Sequence, residues 1–139
     1  MANELARNIQ DASLNPAAFA LPAAASSSTT SAAIDLGTDT FKPENVELDL
    51  AIPALSTTIA PDTRTVTLIA ETSTTSNFSA VAQTIASKIL TGAGGAGISA
   101  TSVRCRLPSN CERYVRFKVT FGASTTDGSA LNATGTIRF

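Results

Sequence analysis

The most regular alternation of apolar and polar residues in the chain runs over residues 113–122, RYVRFKVTFG. The apolar positions are Val115, Phe117, Val119 and Phe121, and the polar positions are Tyr114, Arg116, Lys118 and Thr120. A period of two places successive side chains on opposite faces of a β-strand, so one face is expected in a core and the other in water. Because two of the six Phe lie here, in a chain with one Tyr and no Trp, we expect a central strand.

Several other segments also have the pattern of short strands. They are residues 33–36, 45–52, 64–71, 98–107 and 131–139. Residues 78–90 are ambiguous: Val81, Ile85 and Ile89 fit one face of a helix, but a bent strand is equally compatible with the segment. We therefore leave this segment open between helix and strand.

Six to eight short strands joined by turns, with little helix, are typical of an all-β sandwich or barrel. The jelly roll is favoured because strands this short and loops this long suit two packed four-stranded sheets. A chain of 139 residues is long enough for one independent core. We predict a jelly-roll β-sandwich over residues 34–139, preceded by an extended N-terminal arm of residues 1–33.

The arm combines helix-breaking residues with apolar ones. Pro16 and Pro22 prevent a helix through an Ala/Ser/Thr-rich, low-complexity stretch, while Phe19 and Leu21 provide side chains to bury. Such a segment can become ordered when its apolar residues find a groove on a partner. We expect it to lie extended along a neighbouring subunit; a disordered tail is the alternative.

Charge is low and unevenly distributed. Ten basic and eleven acidic residues give a net charge of −1, which argues against a general nucleic-acid binder. Acidic residues concentrate in residues 35–71 and basic residues in residues 104–118. Either these segments are neighbouring strands whose outer faces pair across the sheet, or the two patches meet between subunits.

The arginines near Tyr114 could contact nucleic-acid phosphates. Residues 108–110 predict a turn between two strands, which would place Arg104, Arg106, Arg113 and Arg116 on the outer face of one hairpin. Pairing of these arginines with acidic neighbours is the favoured interpretation.

Motifs for catalysis or metal binding are weak. The chain has no His, which excludes Ser-His-Asp and Cys-His catalysis and His-ligated metals. Glu47 and Asp49 share a strand face, but such a pair is usually solvated. The glycine-rich residues 91–97 lack the lysine and the following helix of a phosphate loop. We expect no enzyme activity, no metal and no cofactor.

Cys105 and Cys111 are the only cysteines. Residues 1–11 are polar and lack the apolar region of a secretion signal, so we expect a reducing compartment and two thiols rather than a disulfide. Two Cys without His do not make a standard zinc site.

Two stretches resemble a known family. Residues 44–81, ENVELDLAIPALSTTIAPDTRTVTLIAETSTTSNFSAV, and residues 103–124, VRCRLPSNCERYVRFKVTFGAS, resemble the jelly-roll capsid cement (decoration) proteins of tailed phages, of the type found in the Bordetella podophage. The shared pattern is an alternating charged strand ending in Pro-Ala-Leu, and an Arg-Leu-Pro turn before Arg-Tyr-Val-Arg. From the start of the first stretch to the end of the second, the resemblance spans somewhat over half of the chain.

The resemblance implies a non-enzymatic protein on the outer surface of the virion capsid, made in the host cytoplasm. Its partner would be the major capsid protein, whose subunits it would bridge and stabilise against the pressure of packaged DNA. The resemblance also implies a homodimer, with no direct contact to nucleic acid or membrane. The candidate partner-binding residues are Pro16, Phe19, Leu21, Arg104, Arg106 and Arg116. The alternative is a carbohydrate-binding jelly-roll module on the virion surface, which one Tyr and no Trp disfavour.

Overall fold

The computed structural model describes Pro16 and residues 18–37 and 46–138 of the chain. These residues form nine strands and no helix. The strands are β1 (Phe19–Ala20), β2 (Ser28–Thr30), β3 (Ile34–Asp35), β4 (Glu47–Ile52), β5 (Thr65–Ser73), β6 (Gln83–Thr91), β7 (Thr101–Arg106), β8 (Tyr114–Phe121) and β9 (Asn132–Arg138). A helix long and apolar enough to span a membrane does not occur in this part of the chain.

The strands form two antiparallel sheets. Sheet 1 has the order β1-β9-β4-β7, and sheet 2 has the order β6-β5-β8, with β2 and β3 both paired to the remaining edge of β8. One hydrophobic core joins the two sheets face to face. The predicted all-β class and jelly-roll-like sandwich are thus confirmed.

The core is built around β8, as its alternation predicts. Val115, Phe117, Val119 and Phe121 are each at most 1% exposed, while the polar residues between them remain partly exposed. Phe117 reaches the facing sheet where Gly135 of β9 offers no side chain. The predicted inner face of this strand is therefore correct.

The ambiguous segment of residues 78–90 contains no helix: from Gln83 onward it is strand β6, which pairs with β5, and residues 78–82 are an irregular lead-in to this strand. A register shift opposite Ala70 and Glu71 inserts one extra residue into β6, which is a β-bulge. Ile85 packs against the core, but Val81 is 44% and Ile89 65% exposed. The spacing of these three residues therefore did not mark a common buried face.

The described part of the predicted arm lies on the chain's own sandwich. Phe19 pairs with Ala133 of β9 and packs against the core, and Leu21 is 1% exposed within it. Further along, the backbone N–H of Phe117 donates to the Ser31 hydroxyl at 3.0 Å. Pro16 is half-buried. The expectation that Phe19 and Leu21 lie along a neighbouring subunit is corrected: Leu21 is buried in the chain's own core, and the partly buried Phe19 packs against that core. Residues 1–15 and 17 fall outside the described residues.

The predicted hairpin between β7 and β8 is also corrected. β7 belongs to sheet 1 and β8 to sheet 2, so the intervening residues cross from one sheet to the other. Leu107 and Cys111 are buried at this crossover and hold it against the core. Consequently Arg104 and Arg106 lie on the outer face of sheet 1, and Arg116 lies on the outer face of sheet 2.

Candidate functional site

The outer face of sheet 1 carries a cluster of charges that we call the arginine face. It consists of Glu47 and Asp49 on β4, Arg104 and Arg106 on β7, and Arg138 on β9. In the strand register Glu47 lies opposite both Arg106 and Arg138, and Asp49 lies opposite Arg104. Glu47 and Asp49 face outward because Leu48 and Leu50 take the alternate positions in the core. The register then places arginines on both sides of this acidic strand.

Asp49 lies beneath two of these arginines. Arg104 Nε donates to Asp49 Oδ2 at 3.1 Å, and Arg138 Nη2 donates to the same oxygen at 3.4 Å. Asp49 is only 7% exposed, whereas the side chains of Arg104 and Arg138 are 58% and 49% exposed. Asp49 Oδ1 is buried and has no hydrogen-bond partner among the described residues. The face therefore presents guanidinium groups outward and hides its central carboxylate.

Arg116 has a different environment. It pairs with Glu71 at 2.5 Å, and its guanidinium lies 4.2 Å from the ring centroid of Phe78. The side chains of Arg116 and Glu71 are 19% and 4% exposed, so Phe78 and its loop cover the pair. A cation–π contact of this kind contributes on the order of 1 kcal/mol. Arg116 thus belongs to an internal ion pair of this chain, and little of its side chain remains exposed to a partner.

Arg113 also pairs with an acidic neighbour. Its Nε and Nη2 atoms donate to the two carboxylate oxygens of Asp35 at 2.8 and 2.7 Å. This bidentate pair, with the backbone N–H of Gly37, lowers the pKa of Asp35 from 3.8 to about 2. The prediction that the acidic and basic segments pair across neighbouring strands is confirmed by this pair, by Asp49–Arg104 between β4 and β7, and by Glu71–Arg116 between β5 and β8.

The outer face of sheet 2 has the opposite character, and we call it the threonine face. Its residues are Thr65, Thr67 and Ile69 on β5, Ser87, Ile89 and Thr91 on β6, and Lys118 and Thr120 on β8. They point outward because Val66 and Leu68 fill the alternate core positions. Seven of these eight side chains are uncharged, and Ile89 is 65% exposed. Six of the eight are β-branched and stiff at χ1, so the surface is pre-ordered for contact.

The free edge of sheet 2 is protected against further strand pairing. Among the described strands, β6 pairs only with β5. Lys88 lies opposite the buried Leu68 and so sits on the inner side of the edge, yet it stays exposed. An inward-pointing charge and a β-bulge are two devices that prevent edge-to-edge association. The faces of the sandwich, rather than this edge, are therefore the candidate contact surfaces.

The remaining sequence motifs have structural explanations. In the glycine-rich loop, the N–H of Gly95 donates to the carboxylate of Asp62 at 3.0 Å, so this N–H already serves an anion of the same chain. Within the described residues, no group of three His, Cys, Asp or Glu side chains is placed to hold a metal ion. Cys105 and Cys111 are thiols, as expected, and burial together with the charge of Asp49 raises the pKa of Cys105.

The sequence interpretation missed the threonine face and Arg138. The outward positions of β5 include Thr65 and Thr67, so alternation alone could have predicted part of the face. Ile89 could not be assigned to it because only the pairing of Ile89 with Thr67 of β5 shows which side of the sheet Ile89 faces. Arg138 is separated from Asp49 by 89 positions, and only the pairing of β4 with β9 brings them together.

Comparison with known proteins supports the fold. The solved structure described as the crystal structure of PBSX exported protein XepA is similar to this chain, with a TM-score of 0.50 and 18% sequence identity. The match covers 89% of this chain but spans only 35% of XepA. No protein-family model matches the chain, and no curated protein matches it. At this identity the likeness establishes a shared sandwich fold.

Proposed function

We propose that this protein is a non-enzymatic phage structural protein that decorates the outer surface of the capsid, with the major capsid protein as its partner. The observation that carries the proposal is the threonine face, a largely uncharged and largely β-branched sheet surface with Ile89 65% exposed. A largely uncharged face with few polar groups to desolvate can be buried against another protein at little cost. The resemblance of residues 44–81 and 103–124 to capsid cement proteins, and the fold shared with a PBSX exported protein, support a phage-associated role.

The size of the threonine face indicates how such binding would work. Three strands about 4.8 Å apart, each contributing roughly five residues of 3.3 Å, present on the order of 250 Å². A stable pairwise interface buries about 800 Å² per partner. Full burial of Ile89 would contribute about 1–2 kcal/mol. One such face binds weakly, so attachment would depend on several contacts per molecule and on avidity across the shell.

The other features of the proposal follow the cement-protein resemblance. The protein would bridge neighbouring capsid subunits as a homodimer and strengthen the shell against the pressure of packaged DNA. Binding of this kind requires no cofactor, nucleic acid or membrane. The proposed location is therefore the virion surface, with synthesis in the host cytoplasm.

The direct test mixes the purified protein with capsid shells that lack it and measures the bound fraction by co-sedimentation, with negative-stain imaging of the shells. Ile89→Glu places a charge on the threonine face, and we expect at least tenfold weaker binding. Val81→Glu is the matched control, since Val81 is also an exposed apolar residue but lies outside the face. Both variants should melt like the wild type, because neither side chain fills the core.

Two results would contradict the proposal at different levels. If the wild-type protein does not bind shells, the decoration function is wrong. If the Ile89 variant binds as well as the wild type, the function can stand, but the threonine face is not the contact surface.

A further inference from the structure

We propose that the arginine face is a second docking surface, which binds carboxylate side chains of a neighbouring protein subunit. This inference rests on the proposed decoration function and adds the chemistry of a second contact. The arginine and threonine faces are the outer faces of sheets 1 and 2, so they point in opposite directions. A subunit docked on one face leaves the other exposed, which is the arrangement that a bridge between two subunits requires.

The accessible charge of the face is more positive than its composition suggests. It contains three arginines and two acids, but Asp49 is 93% buried under Arg104 and Arg138. Arg106 is exposed and has no ion pair among the described residues, although Glu47 lies opposite it in the register. An approaching partner therefore meets guanidinium groups on both sides of β4 before it meets a carboxylate.

Asp49 acts here as a positioning residue. A single oxygen, Oδ2, accepts from both Arg104 and Arg138, which draws two guanidinium groups from different strands toward the same point. Arg104 uses its Nε atom in this bond, and a guanidinium has five N–H donors, so its terminal N–H groups are left for a ligand. The fork of terminal N–H groups matches the geometry of a carboxylate.

The face favours protein carboxylates over a nucleic-acid backbone. Glu47 is half-buried between Arg106 and Arg138, so a negative charge interrupts the row of cations. A continuous line of phosphates would pass over that charge, whereas separate Asp or Glu side chains of a partner can avoid it. The whole chain also carries a net charge of −1, which opposes non-specific binding to DNA.

The test uses Arg106→Ser, because Arg106 takes no part in the Asp49 network and its loss should leave the fold intact. Binding of the full-length protein to shells lacking it is measured by co-sedimentation between about 50 and 300 mM NaCl. We expect Arg106→Ser to weaken binding about three- to fivefold at low salt and to reduce its salt dependence. Arg64→Ser is the matched control: it removes the same charge outside the arginine face, and we expect wild-type binding.

The outcomes separate this inference from the function on which it rests. If Ile89→Glu weakens binding but Arg106→Ser changes neither affinity nor salt dependence, the second docking surface is refuted and the decoration function stands. If the wild type does not bind shells, both are refuted. A short DNA duplex serves as the competing probe, measured by fluorescence anisotropy. If the wild-type protein binds the duplex, and Arg106→Ser abolishes that binding but leaves shell binding unchanged, the assignment to protein carboxylates is overturned.

Discussion

Gly135 of β9 offers a sharp test of how the two sheets pack. A Cβ atom added at this position would lie 2.2 Å from Cδ2 and 2.4 Å from Cε2 of the Phe117 ring. Phe117 is 0% exposed and lies in the middle of β8, so its ring is surrounded by the core. Gly135→Ala therefore requires either the ring or β9 to move.

Two opposing effects decide the sign of this substitution. Gly135 is not among the residues with positive φ, so alanine can adopt its backbone conformation. In the absence of a clash, Gly→Ala would stabilise the protein by about 0.4–1 kcal/mol through the entropy of the unfolded chain. Overpacking a core costs about 1–3 kcal/mol. The contacts below 3.0 Å make the clash the larger effect, and a net loss of about 1–2 kcal/mol is expected.

The assay is thermal unfolding followed by circular dichroism, with denaturant unfolding to obtain the free energy. We expect Gly135→Ala to lower the Tm by several degrees. Thr134→Ala, an exposed change in the same strand, should stay within about 0.5 kcal/mol of the wild type. Combining Gly135→Ala with Phe117→Leu should cost less than the sum of the two single changes, because the smaller side chain leaves room for the Cβ. A Tm for Gly135→Ala at or above the wild-type value would refute the packing argument.

Two further predictions follow from charged residues. Lys88→Val removes the inward charge from the edge strand, and size-exclusion chromatography should show concentration-dependent association beyond that of the wild type, which Lys118→Val does not cause; a Lys88 variant that elutes like the wild type would contradict the protective role. Because the pKa of folded Asp35 is lowered to about 2, its pair with Arg113 favours the folded state above pH 3.8, and this contribution should be lost as the pH falls from about 4 to 2. An NMR titration of the Asp35 carboxyl group checks the value, which Arg113→Ala should return toward 3.8.

The parts of the fold that the sequence could predict depend on local alternation. In β8 every second residue is apolar, and all four of these positions are buried. The same rule identified β4 and β5, because a period of two assigns each side chain to a face without reference to distant residues. It also indicated the cross-strand pairing of acidic and basic segments, since both lie at outward positions of neighbouring strands.

The errors lie where local alternation carries no information. A spacing of four residues places Val81, Ile85 and Ile89 on one side of a regular strand as well as of a helix, so periodicity could not decide between the two. In the structure Val81 precedes β6, and the bulge places Ile85 and Ile89 on different faces. Alternation also cannot tell whether the turn after β7 returns to the same sheet. The buried Leu107 and Cys111 decide that the chain crosses to the other sheet.

For the candidate site, too, local alternation cannot tell which outer face of the sandwich a residue lies on. The sequence correctly placed Arg104 and Arg106 on an outer strand face, but it grouped them with Arg116, which lies on the opposite side of the sandwich beneath Phe78. Exposure, rather than residue type, separates an arginine that is available to a partner from an internal one. That property depends on which loop folds over a face and is settled only by the tertiary structure.

Two weak faces on opposite sides of one sandwich suit a bridging protein better than one strong face would. If either face alone bound tightly, each copy would saturate a single subunit and leave the next one unconnected. With two weak contacts, a copy already held by its threonine face meets the second subunit at a high effective concentration, which can raise the overall affinity by about 10²–10⁴ without a new contact. The proposed apolar contact at Ile89 would be insensitive to salt, and the proposed contact at Arg106 would be screened by it. Raising the ionic strength should therefore weaken the bridge before it releases the protein from the shell.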